Sequence, residues 1–162
     1  MPVAGPTWTA LIWTTGEARF LTPEHLLSVL EVDRHRVWGA SLGDRGDTAL
    51  PQDSVLMVSL VARRSDLNGD TFVERYRSHA EVARTHHGFS AYRQNVVRQN
   101  VALQNVAGCD AISEILLATE EDWRNNFYAT PSAAEAVGRD VARFLDRAGT
   151  SSTLVRRFPG SA

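Results

Sequence analysis

Two side chains able to move protons, Tyr76 and His79, stand in the stretch FVERYRSHAEVARTHH that runs from Phe72 to His87. On a helix, at ~100° per residue, Phe72, Tyr76, His79, Ala83 and His86 fall within about 80° of arc, so polar and apolar groups share one stripe. Phe72 and Ala83 commit that stripe to the interior, where an imidazole or a phenol must find a partner or line a cavity. Imidazole titrates near neutrality and can take a proton and return it, as enolisation, dehydration and aldol closure all require. His79 is therefore the candidate general acid or base; the plainer alternative is a core histidine bonded to backbone. Tyr76 can donate to a developing enolate or orient His79, or it is simply a core aromatic whose hydroxyl reaches water.

Glu114 lies between Ile112 and Leu116 on one phase of the segment AISEILL at 111–117. A carboxylate placed there is costly unless paired. It either meets an arginine, Arg63 or Arg93, or lines a cavity with a raised pKa. Sharing a pocket with His79 would make the two an acid/base pair. His86 and His87 sit at the expected helix end, where the dipole favours imidazolium, so capping is the expected role for at least one of them.

Other chemistries have little to work with. His79 and His86 are two helical turns apart, roughly 10 Å along the axis and too far for one ion. No histidine pair at i, i+4 occurs. GxGxxG and P-loop motifs are absent, so neither cofactor nor metal is expected. All 17 basic residues are arginine, which excludes a Schiff-base lysine and fits a GC-rich coding genome. A net charge of −2 and a pI near 6.2 offer no broad basic surface for nucleic acid. Cys109 is the only cysteine, so there is no internal disulfide. With no run of ~18 apolar residues and no basic leader before the first apolar segment, the expectation is a cytoplasmic protein without a membrane partner.

The elements that must position these groups follow from pattern. TALIWT at 9–14 reads as a strand, Thr22-Pro23-Glu24 as the cap of a helix through Leu30, and His35 to Leu42 as a second strand. Residues 43–53, with two glycines, three aspartates and a proline, read as a linker. Val55 to Arg63 is apolar on both phases and suits a central strand covered on each side. Asp70 is the expected cap of the helix carrying His79, and Gly88 its stop. Ser90 to Val97 reads as a strand entering an irregular loop, because the local repeat RQNVV, RQNVA, LQNVA has a five-residue period that fits neither strand nor helix. After the strand at 111–117 comes a short helical turn at 120–123. A helix over 132–147 follows, with Ala134, Val137, Val141, Phe144 and Ala148 as its buried stripe, and then a strand at 153–158.

From residue 55 onward the order is strand, helix, strand, strand, helix, strand, which specifies a ferredoxin-like α+β sandwich with both helices on one face of an antiparallel sheet. The sheet's other face then needs a cover, from another subunit or from the N-terminal segment. Residues 1–53 are expected to form a strand-helix-strand extension and 54–162 the main domain. Trp8, Trp13, Trp38 and Trp123 are expected in the core or at an interface.

The succession FVERYRSHAEVARTHHGFSAYRQN, DAISEILLATEEDW and ATPSAAEAVGRDVARFLDR resembles the EthD family of the dimeric α/β-barrel superfamily, over residues 54 to 158. The marks are Tyr76 and His79, Gly88 and Tyr92, Glu114, and a late helix with Pro131 before it and Asp140 near its middle. The resemblance implies a cofactor-free fold in which two sheets pair across a homodimer, with a ligand pocket between the sheet and helices of each subunit. Relatives include cyclases, dehydratases and anthrone-type monooxygenases of aromatic polyketide pathways. Residues 1–53 depart from the pattern and look like a shortened first copy of the domain.

Together these features point to a small enzyme of secondary metabolism, a cyclase or dehydratase acting on a polyketide-like or other hydrophobic carbonyl compound. His79, Tyr76 and Glu114 are the candidate catalytic residues, and Tyr92, Arg93, His86 and Phe72 the candidate substrate contacts, with Arg93 helping Tyr76 to stabilise an oxyanion. Cofactor-independent oxygenation is the second reading, and a non-catalytic ligand-binding accessory protein the third.

Overall fold

The computed structural model describes residues 30–39, 53–100 and 109–156. In chain order the elements are β1 (Leu30–Trp38), β2 (Val55–Val61), α1 (Gly69–His86), β3 (Ala91–Asn100), β4 (Ala111–Leu117), α2 (Glu120–Asn125), α3 (Ala133–Val141) and β5 (Ser151–Arg156). The expected strand at 9–14, the helix from residue 22, most of the linker and the last of the RQNVV-type repeats lie outside the described residues.

The five strands form one sheet in the order β1-β3-β4-β2-β5, every neighbouring pair antiparallel. Without β1, the run β2-α1-β3-β4-α3-β5 with sheet order β3-β4-β2-β5 is the ferredoxin-like α+β arrangement. β1 adds to it by pairing along the outer edge of β3.

Strand alternation decides what each face carries. Met57, Val61, Tyr92, Val96, Ala111 and Ile115 point to the side where α1, α3 and the loop after α2 pack. They form two adjoining cores there, one around Tyr76, Phe72 and Phe144, the other around Ala83, Phe89 and Leu117. The opposite phase carries Val58, Ile112 and Leu116, and this face is buried at its centre too. That is why β2 and β4 read as apolar on both phases. This second face is not purely apolar, however, because Arg93, Asn95 and Glu114 sit in the middle of it, all buried.

Several boundaries move for identifiable reasons. β1 starts at Leu30 and ends at Trp38, earlier at both ends than the expected 35–42. Gly39 stops it at φ 84°, and a Cβ there would meet Ser90 O at 2.4 Å. A register shift between Arg36 and Trp38 brings Trp38 opposite Tyr92 and onto the helix side. Asn68, not Asp70, caps α1, its side chain accepting from Thr71 N at 2.8 Å. α1 runs to His86, and glycine at 88 is demanded by close approach, since a Cβ would lie 2.6 Å from Asn126 O. α3 is shorter than the expected 132–147: it ends at Val141, and turns carry Phe144 into the core. Ala133 is buried in place of Ala134, and Ala148 is exposed. No helix among the described residues is long and apolar enough to cross a membrane.

Candidate functional site

His79 projects from the middle of α1 toward α3, where its Nδ1 lies 2.8 Å from Asp140 Oδ2. The ring rests against Phe144, centroids 5.5 Å apart, and the residue is 8% exposed. Burial lowers the His79 pKa below its usual value, and the hydrogen bond and charge of Asp140 pull part of the way back. At neutral pH the imidazole is therefore uncharged. It donates Nδ1–H to the carboxylate, and the Nε2 lone pair is the basic site. Among the described residues nothing hydrogen-bonds Nε2. Asp140 Oδ1 is 3.5 Å from Arg143 Nη1, a marginal contact on the exposed side of α3.

One turn back along α1, Tyr76 reaches down to the sheet. Its hydroxyl lies 2.7 Å from Ser113 Oγ of β4, and Phe72 and Phe144 flank its ring. From β3, Tyr92 and Gln94 point to the same place. Gln94 Nε2 donates to Tyr76 O at 2.5 Å and to Tyr92 Oη at 3.2 Å. Burial raises the pKa of Tyr76 well above that of a free phenol and raises that of Tyr92, so both keep their protons and can act as donors. A neutral base on a carboxylate leash and a knot of neutral hydroxyls thus lie one helical turn apart, between α1, α3 and the sheet.

The structure divides the sequence candidates into two groups. Phe72, Tyr76, His79 and Tyr92 share the helix side. Glu114 and Arg93 lie on the other face, where Arg93 Nη1 donates to Glu114 Oε2 at 3.2 Å and Asn95 Nδ2 donates to the same oxygen at 3.0 Å. Glu114 therefore does not share a pocket with His79. The sheet separates them, and the carboxylate beside His79 is Asp140. Arg93 is likewise removed from Tyr76, and Arg63 pairs with Asp110 at 2.9 Å instead of with Glu114. His86 is half-buried at the end of α1. His87 is the C-cap of α1 through its backbone N–H, which donates to Ala83 O at 3.0 Å, while its side chain turns away from the helix end: Nδ1 meets Phe127 O at 2.8 Å, and the ring stacks on Phe89 and Tyr128. Burial lowers its pKa to about 4. Trp38 and Trp123 pack in the aromatic group around Phe89 and Phe127.

Ser113 and Gln94 escaped the sequence reading, although a signal was present. Each is a polar residue on a phase whose neighbours, Ala111 and Ile115 or Tyr92 and Val96, face the core. Asp140 was visible only as a mark of the late helix, because nothing in sequence joins positions 61 residues apart. Among the described residues no group of three or more His, Cys, Asp or Glu side chains could hold a metal ion. The concavity of about 640 Å³ beside Arg64, Leu145 and Arg147 lies on the outer surface past α3, not at His79.

The model of the EthD domain matches residues 64–148, a span that includes α1, β4, α3 and hence both His79 and Asp140. The chain belongs to the EthD family. Among solved structures it is similar to a dimeric protein of unknown function and ferredoxin-like fold from Bacteroides fragilis, with 14% identity and a TM-score of 0.41 over 65% of this chain and 98% of that one. No curated protein matches the chain.

Proposed function

We propose that this EthD-family chain is a cofactor-free acid/base enzyme, a cyclase or dehydratase acting on a hydrophobic carbonyl compound of polyketide type. The observation that carries the reading is the buried His79–Asp140 pair at 2.8 Å. The carboxylate holds the ring in one tautomer and orientation, as a positioned general base requires. His79 Nε2 takes a proton from the carbon beside the substrate carbonyl. The C–H bond breaks, the N–H bond forms, and the electron pair moves to the carbonyl oxygen as an enolate. The hydroxyl group of Tyr76, neutral and close to Ser113, stabilises that oxygen as its charge develops. In a dehydration the imidazolium then returns its proton to the departing hydroxyl, which leaves as water; in a cyclisation the enolate carbon closes on a second carbonyl and the proton goes to the new alkoxide.

The test uses benzoylacetone as a simple enolisable probe and follows exchange of its central C–H for deuterium by NMR. The wild-type protein should accelerate exchange, and folded His79→Gln should lose about 10²-fold or more of the acceleration. An unchanged rate in the variant overturns the assignment. Consumption of dioxygen with an anthrone probe would instead favour the oxygenase reading, and stoichiometric binding without exchange an accessory role.

A further inference from the structure

The acceptor oxygen of Gln94 has no hydrogen-bond partner although the residue is fully buried. The orientation of the amide is not free. Nε2 faces the carbonyl oxygen of Tyr76 at 2.5 Å, and turning the amide over would set two oxygens against each other. Oε1 is therefore held pointing elsewhere, a desolvated acceptor left unmet. Buried polar atoms are seldom left so.

The hydroxyls beside it have the complementary surplus. Tyr76, Tyr92 and Ser113 supply three O–H hydrogens. The 2.7 Å contact between Tyr76 and Ser113 uses one. Tyr92 accepts from Gln94. At least one hydrogen is left over. The cluster thus offers one acceptor and at least one spare donor within a single buried patch. A positive charge lies beside it: the guanidinium of Arg77 donates to the Gln94 backbone oxygen at 3.3 Å.

We propose that Gln94, with Tyr92 and Ser113, is the recognition half of the site, and that it selects a neutral ligand bearing a phenol or enol O–H together with a carbonyl oxygen. The ligand hydroxyl gives its hydrogen to Gln94 Oε1, and the spare hydroxyl hydrogen of the cluster goes to the ligand oxygen. An ammonium donor is disfavoured by the Arg77 charge and by burial. The inference rests on the acid/base reading for the location of the ligand and adds what that reading lacks, a specificity-determining residue.

The experiment is calorimetric titration of the intact protein with 2-naphthol and with 2-methoxynaphthalene, which share one ring system and differ in the donor. Wild type should bind 2-naphthol about tenfold or more tightly, the ratio expected when a buried acceptor is met in one case only. Gln94→Met should bring the two affinities to within about twofold of each other. Equal affinities in wild type, binding of neither probe, or a preference that survives Gln94→Met would overturn the proposal. If Gln94→Met does not fold, Ser113→Ala decides. Its affinity for 2-acetonaphthone, a carbonyl acceptor without a donor, should fall about tenfold, and an unchanged affinity overturns the proposal. Naphthol selectivity without deuterium exchange on benzoylacetone would sink the acid/base reading alone, and exchange without selectivity this inference alone.

Discussion

Replacing His87 with Phe should flatten the pH dependence of stability on the acid side. The His87 ring is packed between Phe89 and Tyr128, centroids 4.2 and 5.1 Å away, and edge-on to Phe127. Burial, with smaller contributions from the neighbouring His79 and His86, lowers its pKa from 6.5 to about 4. Because the folded-state value is the lower one, the unfolded chain binds the extra proton first as pH falls. The stabilisation is therefore complete above pH 6.5 and is lost as pH drops from there toward 4. At pH 5 a shift of that size corresponds to about 2 kcal/mol. Solvent reaches part of the ring, and screening cuts this to about 1 kcal/mol. Phe fills the same stack without titrating. Urea unfolding followed by tryptophan fluorescence at pH 7 and pH 5, for wild type and His87→Phe, isolates the effect, because the lowered pKa values of His79 and His35 act alike in both proteins. Wild type should lose about 1 kcal/mol more than the variant between the two pH values. Equal losses would refute the reasoning, as would a wild type that gains stability on acidification relative to the variant.

Asp140→Asn should lower benzoylacetone exchange by about 10²-fold. It should also move the acid limb of the rate profile to lower pH, since Asp140 raises the His79 pKa and the base is active only when unprotonated; an unmoved limb would show that Asp140 does not hold the ring. The Arg93–Glu114 pair, each side chain 2% exposed, should behave as a buried ion pair: Glu114→Ala costs about 3–5 kcal/mol in urea unfolding, while Arg93→Met with Glu114→Leu recovers most of it. Costs that merely add would refute the pairing. Homodimer formation, the arrangement that the dimeric α/β-barrel resemblance implies, is checked by sedimentation velocity, with a mass twice 17.9 kDa expected and a monomer mass at tens of micromolar arguing against it.

Legibility of the sequence differed by element. β4 matched residue for residue and β2 to within two residues, because long runs of branched apolar residues bounded by turn residues have few alternative conformations. The stripe of α1 was legible for the same reason: Phe72, Tyr76, His79 and Ala83 are all buried, as the 3.6-residue period requires. β1 was misplaced, since its end depends on the left-handed turn at Gly39, which is set by the closeness of Ser90 and Ala91. The end of α3 was missed because Phe144 reaches the core from a turn after the helix, so its burial says nothing about helical phase.

From residue 55 onward the sequence by itself determined which strands and helices form, their order, and hence a ferredoxin-like sheet with α1 presenting Tyr76 and His79 to its interior. Local periodicity and turn chemistry carry that information. Only the tertiary structure decided who meets whom. Adjacent strand residues point to opposite faces, so Gln94 joined the tyrosines while Arg93 was turned away to Glu114. The docking of α3 on α1 then gave His79 its carboxylate, Asp140, from the far end of the domain. Strand phase and helix docking are set by burying the whole core at once, and no local window of residues contains that sum.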